Sequence, residues 1–281
     1  MPYITKLQHK QLLKKSEQLF SNLHKSLQKA LGSATETQIH QLRVLVKRWR
    51  ALLHMAFFCR GKKVKPKIYR RYLKMFARAG KLRDTQLHVA LIKNSNLALN
   101  TQTYWQTLAG ELKKAQRRFK KTCRILLSKN MKNQRKSFLH LIQNMNVEQI
   151  TFYIQGNAQK ALQLLTAAQQ TDEQLHKLRK LLKRLLYNLQ LLQQCGIELP
   201  NYQGVLPLIT QFCEQLGRWQ DKEVAITYLQ KLNHNQHLFA PDEFNRLINY
   251  WNQEKNNLRQ QLNPELSQLQ YFLVNATCNL P

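Results

Sequence analysis

Two stretches of the chain carry the same order of titratable side chains: His40, Arg43, Lys47 and Arg48 in one, and His176, Arg179, Lys183 and Arg184 in the other. At roughly 100° per residue, His40, Arg43, Lys47, Arg50 and His54 fall within an arc of about 80° on one helix. Ile39, Leu42, Leu45, Val46, Trp49, Leu52, Leu53 and Ala56 lie on the opposite side. One face is therefore core and the other a cationic ladder. Its rungs are about one helical pitch apart, ~5.4 Å, a repeat that meets successive charges of a linear polyanion.

The next helical stretch repeats the device, with Lys63, Lys67, Arg70, Arg71, Lys74, Arg78 and Lys81 inside about 100°. A third row, Lys113, Arg117, Lys120 and Arg124, spans about 60°. One such row is an ordinary solvated face, but solvated faces intersperse Glu with Lys, and these three contain almost none. In the second stretch the row is thinner: His176, Arg179, Lys180 and Lys183, continued by Tyr187 and Gln190. The positions matching Arg70, Arg71, Lys74 and Arg78 are Pro207, Leu208, Gln211 and Gln215, all uncharged. The first stretch is thus expected to supply most of the binding energy.

His40 and His176 admit three readings: hydrogen-bond donors to phosphate, structural residues holding a neighbouring helix, or a metal ligand or phospho-acceptor. Nearby cations disfavour the imidazolium and bound phosphate favours it. Asp84 and Asp221 come just after Gly80 and Gly217, glycines that read as turns. They read as helix N-caps or as partners of inward-facing arginines rather than general bases. No carboxylate cluster for Mg²⁺ and no P-loop is present, so catalysis on phosphate, a metal site and a cofactor are not expected.

The elements that must hold these rows are helices. Leu, Gln and Lys abound, Gly and Pro number 8 and 7, and no stretch alternates like a strand. Breaks at Gly32-Ser33, Arg60-Gly61, Asn94 to Thr101, Lys129-Asn130, Asn144 to Asn146, Gly196 to Gly204 and Asn233 to Pro241 predict eight to eleven helices. Thr35 to Arg43 aligns with Thr171 to Arg179, and both begin T-x-x-Q, a capping box that starts the two helices at the same place. Ala79 to Leu87 aligns with Leu216 to Val224. The chain thus reads as one all-α domain, 1–281, made of duplicated units 1–140 and 141–281.

The formal charge is +30, and it is lopsided: residues 1–140 hold 33 Lys and Arg against Glu17, Glu36, Asp84 and Glu111, whereas 141–281 hold 12 against 11 acids. Such asymmetry points to a polyanion or an anionic membrane. Five spaced cysteines without a C-x-x-C, and no long apolar run, predict a cytoplasmic protein with neither disulfide framework nor membrane span.

H-x-x-R-x-x-x-[KR]-[KR] opening a long helix, followed by G-x-x-x-D, with the pair occurring twice, resembles the CHAD family (conserved histidine α-helical domain) over essentially the whole chain. The resemblance implies two pseudo-symmetric antiparallel helical bundles whose basic helices line a central groove or pore, with inorganic polyphosphate as the ligand and granule association as a setting. By position it implies that His40, Arg43, Lys47, Arg48 and Arg50, with His176, Arg179, Lys183 and Arg184, face that groove, together with Lys81, Arg83 and Arg218. The rows add Lys67, Arg70, Arg71, Lys74, Arg78 and Lys180 as candidate polyphosphate contacts. Leu186 stands where an Arg is usual, and Gln220 where a basic residue precedes the Asp.

CHAD modules are often fused to a triphosphate-tunnel domain marked by alternating glutamates, and no Glu-x-Glu occurs here. The rival ligand is nucleic acid, which any phosphate-binding surface can hold. The rows carry almost no aromatics for base stacking, since only Tyr187 lies in line and Trp49 points to the core. A membrane surface fits less well, because the faces opposite the rows are committed to a core.

Overall fold

A computed structural model describes residues 5–61, 67–94, 102–143, 145–167, 171–236 and 239–278; within these spans the side chains of Lys67, Ile68, Asn94, Pro200, Asn235, Gln236 and Cys278 are excepted. Among the described residues there are ten α-helices, a short 3-10 turn at Pro200–Tyr202 and no strand. The helices are α1 (Lys6–Gly32), α2 (Glu36–Cys59), α3 (Lys67–Asn94), α4 (Gln102–Leu127), α5 (Met131–Ile142), α6 (Val147–Leu165), α7 (Asp172–Gln194), α8 (Val205–Gln236), α9 (Pro241–Gln260) and α10 (Asn263–Cys278).

The T-x-x-Q signal does what its chemistry dictates. The Thr35 and Thr171 hydroxyls accept from the backbone N–H groups of Gln38 and Gln174, whose side-chain carbonyls take the threonine N–H groups in return. The same box at Thr5 and Gln8 starts α1. α8 runs through Asn233 to Gln236, four residues into the break expected there, and a further break separates α9 from α10 at Gln261 and Leu262.

Helices α1 to α4 form a closed ring in which α1 packs on α2 and α4, and α3 packs on the same two, so α2 and α4 occupy opposite corners. α7 lies against α6 and α8, while α10 closes the other side of those two. α5 rests on α1 and α2, and α9 on α8. The halves meet where α2 packs on α7 and α3 on α8.

The main core runs across that junction without a gap, from Leu12, Trp49 and Tyr72 through Leu182 and Trp219 to Leu273. A second core joins the ends of α3 and α4 to α8 and α9 through Ile92, Tyr104, Leu229, Leu247 and Trp251. Trp49 is buried at 2% exposure, with its ring 4.5 Å from that of Tyr72, so the apolar side of α2 faces inward as its spacing requires. Cys59, Cys123, Cys195 and Cys213 are buried thiols, and Cys278 has its side chain outside the described residues.

Candidate anion-binding site

The crossing of α2 and α7 is pinned by Asn188, whose amide donates to the carbonyl of Ala51 at 3.3 Å in a buried setting. On the side of this pin towards the N-termini of both helices, the two cationic rows run into each other. The Lys47 ammonium lies within electrostatic reach of Arg179, Arg43 and Lys183, with Asp221 as its counter-charge. Burial first, then that cationic company, drops its pKa to about 7.

Arg43 sits between α2 and α3. Its guanidinium lies 4.8 Å from the centre of the Phe76 ring, which Arg50 also approaches at 5.3 Å. One turn along α3 from Phe76, Gly80 leaves the space that Arg43 Nη1 enters, 2.6 Å from where a Cβ would stand. The matching pair is Arg179 and Gly217, where Nη2 is 3.7 Å from the same point. Burial pushes the Arg43 guanidinium below its ordinary range, opposed most strongly by Asp84.

Both aspartates thread this cluster. Burial holds Asp84 above the usual carboxylate range against Arg43 and Arg83, and it holds Asp221 above that range against Arg179, Arg83, Lys47 and His40. The expectation that they cap helices is wrong. Gly80 and Gly217 make no turn but lie inside α3 and α8, so Asp84 and Asp221 are mid-helix residues, Asp84 facing cations of the first half and Asp221 cations of both halves. The alternative reading, partners of inward-facing arginines, is the one the geometry supplies.

His40 is held below its ordinary pKa by partial burial, then by Arg83 and Lys47, with Asp221 opposing. His176 is lowered by burial as well, and its Nδ1–H donates to Gln220 Oε1. Gln220, standing where the first half has Arg83, thereby pairs with its own histidine, whereas Arg83 forms an ion pair with Glu36. Arg48 and Lys183, from opposite halves, share the Tyr187 ring at 5.8 and 5.9 Å from its centre.

The cluster thus unites His40, Arg43, Lys47, Arg83, Arg179 and Lys183 around Asp84 and Asp221, with Arg48, Arg50 and His176 adjoining. It draws on both halves. Arg184 turns the other way, donating to Asn157 on α6 at 3.5 Å. Arg70, Arg71, Lys74, Lys81, Lys180 and Arg218 are exposed and Arg78 is half-buried, while the Lys67 side chain and all of Lys63 lie outside the described residues. His54 is hydrogen bonded to Tyr69 at 3.1 Å, and Lys120 donates to the Gly32 carbonyl at 2.8 Å, closing the end of α1. Gln211 and Gln215, which replace Lys74 and Arg78, both donate to Glu265 on α10, so that face is spent inside the second half.

Sequence reasoning missed Phe76 and Glu36. The signal for Phe76 was its place one turn before Gly80, on the same side of a helix as the glycine. Four acids of the second half are occupied locally: Lys255 bridges Asp172 and Glu223, Arg259 reaches Asp172, Lys222 pairs with Glu254 and Lys177 with Glu173. The Nε–H groups of Arg50 and Arg179 are buried with no acceptor among the described protein groups. No helix of the described residues is long and apolar enough to cross a membrane.

The family model described as CHAD domain matches residues 15–230. No curated protein matches the chain. A solved structure, described as the crystal structure of the CHAD domain from the plant Ricinus communis, superposes with a TM-score of 0.60, covering 96% of this chain and 92% of that one at 18% sequence identity.

Proposed function

Because the chain belongs to the CHAD domain family, we propose that it binds inorganic polyphosphate, without turning it over, along the seam where α2 meets α7. The observation that carries this reading is the merging of two cationic rows into one partly buried cluster whose two carboxylates are far outnumbered; burial, and then the neighbouring cations, bring the Lys47 pKa down to about 7. A half-buried group of like charges destabilises the ligand-free protein, and a polyanion relieves that repulsion at several points at once. Phosphoryl oxygens also supply what the buried arginine donors lack, acceptors in number.

Nucleic acid offers the same phosphates, but the aromatics of this site, Phe76 and Tyr187, already lie under guanidinium and ammonium groups and are not presented for base stacking. The test is competition at constant salt: labelled long-chain polyphosphate on the purified protein, challenged with unlabelled polyphosphate, RNA and duplex DNA. Polyphosphate should displace the label at far lower phosphate concentration than either nucleic acid. Equal displacement by RNA would replace this reading with general phosphate-backbone binding. Phosphate release that tracks the protein through purification would overturn the non-catalytic part.

A further inference from the structure

We infer that the outward face of α4 is a second polyanion-binding surface, separate from the α2/α7 seam, so that one molecule holds two polyphosphate segments at once. This rests on the reading above for the chemistry of the ligand, but on different residues.

Lys113, Lys114, Arg117, Arg118, Lys121 and Arg124 are all exposed on α4. At roughly 100° per residue they fill one arc of about 140°, centred near Gly110. Phe119, Cys123 and Leu126 are buried on the opposite side of the helix. Within this arc the nearest acid is Glu111 at its edge, which reaches only Lys114, at 3.4 Å. Gly110, with no atom within 4 Å of where a Cβ would stand, opens a cleft lined by Lys113, Lys114, Arg117 and Arg118. Six like charges on three turns of helix cost repulsion that, among the described residues, only the edge carboxylate Glu111 offsets, at Lys114.

The two surfaces cannot serve one bound phosphate. α2 and α4 stand at opposite corners of the ring formed with α1 and α3. Neighbouring axes are ~9 Å apart, so the diagonal is roughly 13 Å, and outward side chains add about a helix diameter. The α4 face and the cations that α2 carries into the seam therefore lie on opposite sides of the ring, more than a helix diameter (~10 Å) apart. They also differ in character. The seam is half-buried and braced by carboxylates and aromatic rings, which suits a tight, shaped contact. The α4 face is fully solvated, which suits loose, salt-sensitive contact with any passing stretch of polyanion.

The experiment uses the full chain and Lys113→Gln/Arg117→Gln/Lys121→Gln/Arg124→Gln. Glutamine keeps helix propensity, and Lys120, which closes α1, is left in place. Titration with short polyphosphate, too short to wrap from corner to corner, should give two bound chains per protein in the parent and one in the variant, with the tighter affinity changed less than about twofold. With long-chain polyphosphate, light scattering should reveal cross-linked assemblies for the parent that the variant loses, and the salt slope of the weaker phase should vanish. An unchanged stoichiometry and unchanged scattering in the folded variant would overturn the second surface while leaving the seam intact. So would an α4 face that binds RNA but no polyphosphate. Failure of the parent to bind polyphosphate at all would instead remove the reading on which both sites rest.

Discussion

Arg43 and Gly80 interlock: the guanidinium of one fills the space that any side chain at the other would need, with Nη1 2.6 Å from the missing Cβ, whereas Arg179 stands 3.7 Å from the same point at Gly217. Gly80 is thus a seat for Arg43, while Gly217 only adjoins Arg179 at ordinary contact distance. Mid-helix glycine costs roughly 0.5–1 kcal/mol relative to alanine, so the seat at Gly80 is kept at the expense of stability.

Gly80→Ala is therefore expected to raise or preserve thermal stability, because the far end of a flexible arginine can move aside, and to weaken polyphosphate binding, because Arg43 moves. Gly217→Ala meets only ordinary van der Waals contact and should gain up to ~1 kcal/mol with affinity unchanged. Thermal unfolding and a polyphosphate titration on both variants check this. Equal loss of affinity in the two, or none in Gly80→Ala, would contradict it.

Arg43→Ala and Arg179→Ala should each weaken polyphosphate binding by about 1.5–3 kcal/mol, the range for hydrogen bonds to charged groups. Charge count alone places the affinity in the first half, but the seam takes its cations from both helices, so the two losses should be of similar size. Arg184→Ala, whose side chain reaches Asn157, should leave binding unaffected. Titrations of the three variants at one salt concentration decide this; a large effect at Arg184 would misplace the site.

Lys47 makes binding depend on pH. With its pKa lowered to about 7 from 10.5, the free protein holds this group largely neutral above pH 7, and bound phosphate restores the charge. Affinity should fall as pH rises past about 7, and binding at pH 8 should take up protons, seen as different calorimetric heats in buffers of different ionisation enthalpy. In the ligand-free protein the sign for stability is the reverse. The unfolded chain keeps this proton up to about 10.5, so stability rises with pH between about 7 and 10.5. Lys47→Met should flatten both dependences; buffer-independent heats for the parent would rule the linkage out.

Two buried histidines set acid tolerance. His24 is bonded to the Tyr72 hydroxyl at 2.5 Å and His88 to that of Tyr104 at 2.6 Å, and burial lowers both to about 4. The folded state refuses protons that the unfolded state accepts at 6.5, so stability should fall as pH drops from 6.5 towards 4. The loss corresponds to roughly 3 kcal/mol per histidine. Denaturant unfolding at pH 7 and pH 4 measures it, and His24→Gln should shrink the difference. Equal midpoints at the two pH values would show that neither histidine is linked to unfolding.

The helices and their faces were legible in the sequence because capping and periodicity are local. Thr35 with Gln38 and Thr171 with Gln174 name their own helix starts, and Trp49 lies opposite His40 and Lys47 by arithmetic alone. The site was legible only as separate rows. Nothing local says that α2 will lie on α7, so the meeting of Lys47 with Lys183 and Arg179 could not be read. Nor could the different fates of Arg48 and Arg184, which hold the same motif position but face Tyr187 and Asn157. Gly80 and Gly217 misled because a glycine reads as a turn until the arginine that needs its space is known.

The pin from Asn188 to Ala51 spans more than a hundred residues of sequence, and that distance is also a delay. During synthesis α2 is complete at residue 59 and α7 at residue 194, about 135 residues later. At translation rates of 5–20 residues per second the interval is on the order of ten seconds. Throughout it, the most basic part of the chain has the α7-facing side of α2 uncovered. The cations that the finished protein gathers into its seam thus stand in solvent, one helix at a time, until the arrival of α7 and α8, bringing Asp221, ends that exposure.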